Sequence, residues 1–445
     1  MKTADSDKAP TRRLRRRLTA IHVALLLAGL AGNAHAARLN YQIELSGLYS
    51  DNIDLSEDDQ NTETVLIPRL LFDFKEEGSA VEVEARGQIE RRRYLQNRYD
   101  NETRAEFAGQ LNWTVIPQRL HFVAEDYLTE EPINFRDGRY PGNLQRVNIF
   151  IAGPSLFARM GPATQFQLDL RAADSQAEVA TGFDGSRYIA AAVLQRDMTP
   201  TTTGSFHLTT TKAQFDDVTE AVDFKRHDGF VRLQGQRRDT EYELDLGYSR
   251  LDRELADDES MTIFRATVQS QLSSRSRLRF RLRHEFSDEV QDMVVRLSDP
   301  DEALIPDLLD VSSSLVSAGV YEQRAAELDY RYTGERVMLR LRPIYRRLSY
   351  LDRTDADRSE RGIFFQADYR LRPLVTVFIG GSFRKRDFDS IDERDHDRVI
   401  RVGFDQQLSR HWGWRAEALR NERDSNLPDP RYKENAVQVT VWWKR

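Results

Sequence analysis

Arg275-Ser276-Arg277-Leu278-Arg279-Phe280-Arg281-Leu282-Arg283-His284-Glu285-Phe286 sets arginine at every second position from 275 to 283, with Leu278, Phe280 and Leu282 between them. A strand sends successive side chains to opposite faces, so this order gives one cationic face and one apolar face. A helix of the same residues would scatter both around its circumference. Residues 79–90 repeat the pattern with the charge reversed: Val81, Val83, Ala85, Gly87 and Ile89 alternate with Glu82, Glu84, Arg86, Gln88 and Glu90. Tyr242/Leu244/Leu246/Tyr248, Ile363/Phe365/Ala367/Tyr369 and Ile400/Val402/Phe404 follow the same rule.

Soluble β-sandwiches alternate as well, so two further features are needed. The strands run to about ten residues with a polar face that is nearly always charged, as expected for an apolar outer band around a wet interior. The connections also alternate in length. Short ones include Glu76-Glu77-Gly78, Arg159-Met160-Gly161-Pro162, Ser273-Ser274-Arg275 and Thr333-Gly334-Glu335. Between them lie longer polar stretches at 51–62, 130–144, 213–221, 251–259, 288–317, 351–360, 387–396 and 424–431. Short turns at one end and long loops at the other predict an all-β chain. The expected fold is a transmembrane up-and-down antiparallel β-barrel of about 18–20 strands. Tyr41, Tyr49, Trp113, Trp412, Trp414, Trp442 and Trp443 suit interfacial girdles.

The N-terminus predicts export. Arg12-Arg13-Leu14-Arg15-Arg16-Arg17 is a basic region, Leu18 to Leu30 is apolar, and Ala34-His35-Ala36 has the small-x-small form of a signal-peptidase site. Residues 1–36 are therefore expected to be removed, leaving 37–445 as one barrel in the outer membrane. That leader holds seven basic and two acidic residues, so the net charge of −7 becomes −12 in the mature chain. With no cysteine, a disulfide scaffold is excluded. A mean hydropathy of −0.63 would by itself suggest a soluble protein.

Arginine outnumbers lysine 57 to 8, and the expected lumen wall is dense in it: Arg277, Arg279, Arg281 and Arg283, then Arg336, Arg340, Arg342 and Arg346, then Arg370, Arg372, Arg384 and Arg386. Glu327 and Asp329 stand on the strand between the first two ladders, and Glu82 and Glu84 line the N-terminal side. Two readings stay open. In one, neighbouring strands pair opposite charges to keep a polar interior; in the other, the arginines form a track for an anionic solute. Loop 288–317 carries Leu304, Ile305, Leu308 and Leu309, and 301–310 has the spacing of a short amphipathic helix; the expectation is a lid or constriction at the barrel mouth.

No P-loop, dinucleotide fingerprint or zinc spacing occurs, and His227 and His284 lack motif partners. His396 within Asp392-Glu393-Arg394-Asp395-His396-Asp397 reads as a solvated acidic loop. No enzyme, metal, cofactor or nucleic-acid partner is expected. Acidic loops at Glu57-Asp58-Asp59 and Asp257-Asp258-Glu259 allow divalent bridging to lipopolysaccharide.

Tyr49-Ser50-Asp51-Asn52-Ile53, an acidic loop, and then Leu66-Ile67-Pro68-Arg69-Leu70 resemble the outer-membrane β-barrel, porin-like proteins of bacterial exopolysaccharide and exosortase gene clusters. The resemblance implies a channel for export of an extracellular polysaccharide, with a periplasmic polysaccharide export protein as partner. It carries no catalytic residues. A solute-uptake porin and a closed structural or adhesion barrel are the alternatives.

Overall fold

The computed structural model describes residues 37–217, 222–254, 256–299, 316–427 and 431–445. The signal peptide expected at 1–36 and the helix expected at 301–310 lie outside these residues. Twenty strands follow in order: β1 Arg38–Ser50, β2 Glu63–Glu77, β3 Val81–Tyr94, β4 Glu102–Ile116, β5 Leu120–Pro132, β6 Leu144–Arg159, β7 Thr164–Ala177, β8 Gly185–Thr199, β9 Thr202–Phe215, β10 Phe224–Arg237, β11 Thr240–Arg253, β12 Glu259–Ser273, β13 Ser276–Asp288, β14 Val320–Thr333, β15 Val337–Tyr350, β16 Arg358–Arg372, β17 Val375–Phe388, β18 Glu393–Gln407, β19 Trp412–Ser425 and β20 Tyr432–Lys444. One helix, α1, spans Glu289–Ser298 between β13 and β14.

Each strand pairs antiparallel with its sequence neighbours, and β1 pairs with β20, so the sheet closes on itself. Closure leaves no unpaired edge, which a lipid environment demands. The outward face is apolar and exposed, as at Ile43, Leu45, Leu246, Ile379, Val402 and Val439. The inward face is charged and buried, as at Glu44, Glu90, Asp245, Glu360 and Asp397. A soluble protein inverts this order. The closed sheet with apolar exterior and charged interior makes the chain an outer-membrane β-barrel. Each strand has 13 to 16 residues; at about 3.3 Å per residue this exceeds the thickness of a tilted strand's apolar band.

The connections obey the expected alternation. Short turns such as 117–119, 200–201, 334–336 and 373–374 mark the periplasmic end, and the longer loops mark the other. Gly161, with φ of 132°, makes the β6–β7 turn in a conformation that other residues avoid.

Three sequence expectations need correction. Trp442 faces inward and is buried over Gly413, where a Cβ would lie 2.0 Å from its ring; only glycine fits beneath it. It is not part of the girdle. Arg336 belongs to the β14–β15 turn, closed by Gly334 N–H donating to the Val337 carbonyl at 2.8 Å, and it is exposed at the rim. The segment 393–397 is strand, so its alternation divides the expected acidic loop. Asp395 and Asp397 face inward onto arginines, and His396 faces outward.

The seam between β1 and β20 explains the Tyr49–Ile53 motif. Asp51 accepts from the Asn435 backbone at 2.7 Å and from its side chain at 2.8 Å. Asn52 is fully buried; its amide donates to the Ser56 carbonyl at 2.7 Å and the Lys433 carbonyl at 2.9 Å, and its side-chain oxygen accepts from Ser56 N–H at 3.1 Å. Ile53 packs with Val65, Ile67 and Tyr94. The motif is a clasp at the loop end of the barrel seam.

Candidate functional site: the lumen

The first two arginine ladders stand side by side, joined by β14. Arg281 meets Glu327 at 2.6 Å, and Arg342 reaches the same carboxylate at 3.1 Å. Arg340 meets Asp329 at 2.6 Å, and Arg331 binds it from below at 3.1 Å. Arg279 and Arg281 each lie 3.6 Å from Asp299. Cross-strand pairing thus accounts for most of the ladder. Arg277 lies level with Arg331 toward the turn end, and Arg283 lies opposite Ala325. Glu82 and Glu84 line the inward face of β3 at the turn end, where Lys75 holds Glu84 at 2.7 Å. Arg370 and Arg372 stand near the same end, with Arg370 donating to the Glu335 carbonyl at 3.3 Å. Arg384 and Arg386 are spent on Asp397 and Asp395, each at 2.8 Å.

The upper part of the ladder holds α1. Asp288 caps the helix by accepting from Gln291 N–H at 3.1 Å, and Val290, Met293, Val294 and Leu297 form one apolar stripe at helical spacing. That stripe packs on Tyr127, Val147 and Ile149 of β5 and β6 and on Phe183. These inward positions are apolar on a largely charged wall, as are Ile344, Phe364 and Val399 of β15, β16 and β18. The polar face of α1 is held from the opposite side. Arg346 donates to Asp292 at 2.9 Å, Gln323 donates to it at 3.2 Å, and the Tyr350 hydroxyl donates to Glu289 at 2.6 Å. Arg226 donates to Gln291 at 2.7 Å. At the far end, Arg296 pairs with Glu131 of β5, and Arg86 of β3 donates to the Leu297 carbonyl. The helix therefore crosses the enclosed space from β13–β15 to β3 and β5–β6. Burial, followed by the nearby Asp292, raises the Glu289 carboxyl to about 8.

A second segment folds inward. Residues 133–143 leave β5, and the Phe135 carbonyl accepts from Arg386 at 2.8 Å while the Arg136 carbonyl accepts from Arg423. The Phe135 ring lies 4.9 Å from the Arg358 guanidinium and 5.9 Å from Phe388. Arg358 and Arg386 are fully buried. Asn143 stiffens the loop, donating to the Asn134 and Gly138 carbonyls at 2.9 Å.

What these segments leave open is a cavity of about 1310 Å³ along the other wall, formed by β1–β4 and β18–β20. Its lining runs from Asn40, His411 and Lys444 at the turn end to Leu55, Arg139 and Pro141 beneath the mouth. Arg69, Arg86, Arg92, Arg104, Arg401 and Arg415 line it together with Glu44, Glu90, Glu106 and Glu417. The basic members are mostly braced: Arg69 lies 2.7 Å from Glu90, and Arg92 2.6 Å. None of the expected ladder residues lines this space. The signal for it was present in Arg91-Arg92-Arg93 and Arg104, close to Glu90 and Glu102.

No family model and no curated protein sequence matches the chain. Among solved structures it is similar to the ferric enterobactin receptor PfeA of Pseudomonas aeruginosa, at 8% identity over 93% of this chain and 81% of that one, with a TM-score of 0.47. It is also similar to the outer membrane protein OpdK of Pseudomonas aeruginosa, at 11% identity over 93% and 100% of the two chains and a TM-score of 0.38. OprD of the same organism gives 10% identity, 93% and 96% coverage, and a TM-score of 0.37.

Proposed function

We propose that this porin-like barrel is a passive, non-enzymatic channel for hydrophilic solutes. In this reading, the cavity along β1–β4 and β18–β20 is the path, and α1 with the 133–143 loop is the constriction. The observation that carries the reading is the cavity itself. It reaches from the turn-end residues Asn40 and His411 to Arg139 beneath the mouth, and it is walled by charges of both signs. Such a wall gives a hydrated solute many weak contacts and no deep trap. Planar-bilayer recording with the purified chain should give discrete conductance steps, and liposomes containing it should swell in small sugars. Absence of both would mean a closed, structural barrel.

Export of an extracellular polysaccharide, with a periplasmic export protein docking at the turn end, is the finer reading that the sequence resemblance implies. The motif residues are engaged in the barrel seam, so the support for export is the resemblance alone. A polymer strand would need α1 and the 133–143 loop to withdraw. A deletion strain that secretes normal amounts of polysaccharide overturns this reading and leaves the solute channel standing.

A further inference from the structure

The two margins of the lipid-facing surface differ in chemistry. At the turn end the outward residues include many rings, among them Tyr41, Trp113, Tyr242, Trp412 and Trp443. Toward the loop end, the first polar outward residue above the apolar band is repeatedly basic. On β16 Arg361 follows Ile363, on β17 Lys385 follows Phe383, and on β18 Arg398 follows Ile400. These three are neighbours: Arg361 is in register with Lys385, Lys385 with His396, and Arg398 stands two positions below His396.

Like charges directly opposite on adjacent strands repel, and here they do so at the edge of a bilayer, where water screens them less. Internal carboxylates relieve the patch only at Lys385. Asp387 holds Lys385 at 2.8 Å. Glu422 faces Arg398 across β19 but is engaged by Arg420 at 3.4 Å and Lys433 at 3.8 Å. Arg361 stacks on the Tyr345 ring at 5.8 Å and has no ion pair among the described residues. Arg398 is exposed and has neither an ion pair nor a side-chain hydrogen bond among them.

We infer that Arg361, Lys385 and Arg398 form a binding site for the phosphorylated sugar headgroup of an outer-leaflet glycolipid, whose acyl chains lie on Ile363, Phe383 and Ile400 below. A guanidinium forks onto phosphate oxygens, and two guanidinium groups flanking an ammonium match a multiply charged headgroup better than a single phosphodiester. The apolar residues beneath the basic ones fix the orientation: headgroup toward the loops, tails toward the turns.

The test uses the purified full chain in detergent, with bisphosphorylated lipid A as probe, against dephosphorylated lipid A and phosphatidylglycerol. Native mass spectrometry reads retention. Wild type should retain lipid A at least tenfold better than either control, and Arg361→Gln/Lys385→Gln/Arg398→Gln should lose that advantage. Heat-modifiable gel migration checks that the variant is folded, and the single variants Arg361→Gln and Arg398→Gln carry the test if the triple variant is not. Undiminished lipid A retention in folded variants overturns the site, and equal retention of phosphatidylglycerol by wild type overturns the assignment to a glycolipid.

Discussion

Replacing Met293 by Ala should loosen α1 from the barrel wall. Met293 is fully buried between the helix and an inward patch of Tyr127, Val147 and Ile149. Truncating a buried methionine to alanine costs about 2–5 kcal/mol, because transfer energy is lost and a cavity is left. The strands keep their ladder hydrogen bonds, so the cost falls on the docking of α1 rather than on the barrel. Since about 1.4 kcal/mol is a factor of ten, the ratio of docked to undocked helix should fall by roughly thirty-fold to a few thousand-fold. The assay is single-channel recording of the refolded variant in a planar bilayer. The expected result is a larger or more frequently occupied high-conductance level than in wild type. Met293→Leu, which nearly conserves volume and costs less than about 1.5 kcal/mol, should resemble wild type. If Met293→Ala folds and its conductance histogram matches wild type, α1 does not set the constriction.

Three further outcomes follow from the same geometry. Glu289 has its carboxyl raised to about 8 by burial and Asp292; a raised pKa stabilises docking fully below about pH 4.5 and loses that stabilisation as pH climbs through 8, so conductance should increase between about pH 4.5 and 8 in wild type, level off above that, and stay flat throughout in Glu289→Gln. Asn52→Ala leaves the Lys433 and Ser56 carbonyls without their donor and should cost about 1–3 kcal/mol, read as a lower urea midpoint of the heat-modifiable band; an unchanged midpoint would remove the clasp from the account of the seam. Glu327→Ala removes the carboxylate shared by Arg281 and Arg342 while Asp299 stays 3.6 Å from Arg281, so it should lower the thermal midpoint at a cost below the about 3–5 kcal/mol of a fully broken buried pair, whereas exposed Glu335→Ala in the β14–β15 turn should leave thermal unfolding by circular dichroism where it is.

The alternation of Arg277–Arg283 with Leu278–Leu282 made the strands and their inward faces legible, because a period of two is a local property of the chain. The count was harder. The connections 95–101 and 178–184 are short and mix polar with apolar residues as the flanking strands do, so no composition change marks them. The site was the least legible part. Asp288 followed by Val290, Met293, Val294 and Leu297 is a capped helical stripe, but it is only ten residues long and adjoins the longer apolar run after Pro300, whose spacing is equally helical. The reason the helix turns inward lies elsewhere, in Tyr127, Val147 and Ile149. Those residues sit at inward positions where alternation alone assigns lipid and lumen by polarity, and an apolar patch inside a barrel breaks that rule. The Arg–Glu pairing across β13–β15 was readable because both partners lie on consecutive strands. The cavity wall was not, since it is assembled from β1–β4 and β18–β20, the two ends of the chain.

The β1–β20 seam bears on how the chain assembles. Every other strand pair joins neighbours in sequence, so most hairpins can form soon after their residues emerge. The seam joins Ser50 to Ala436 and Gln42 to Lys444, and its register stops short of the full strand length while Gly47 puts no side chain beside it. A contact of that sequence separation carries the largest loop-closure entropy in the molecule and should form last. Until it does, the sheet has two open edges. The Asp51–Asn435 and Asn52–Lys433 bonds at one end and the reciprocal Tyr41–Arg445 backbone pair, at 3.0 and 2.9 Å, at the other then act as the two fasteners of a late zipper. The rate of barrel formation should therefore depend on a handful of residues near the two termini far more than on the long arginine-rich wall between them.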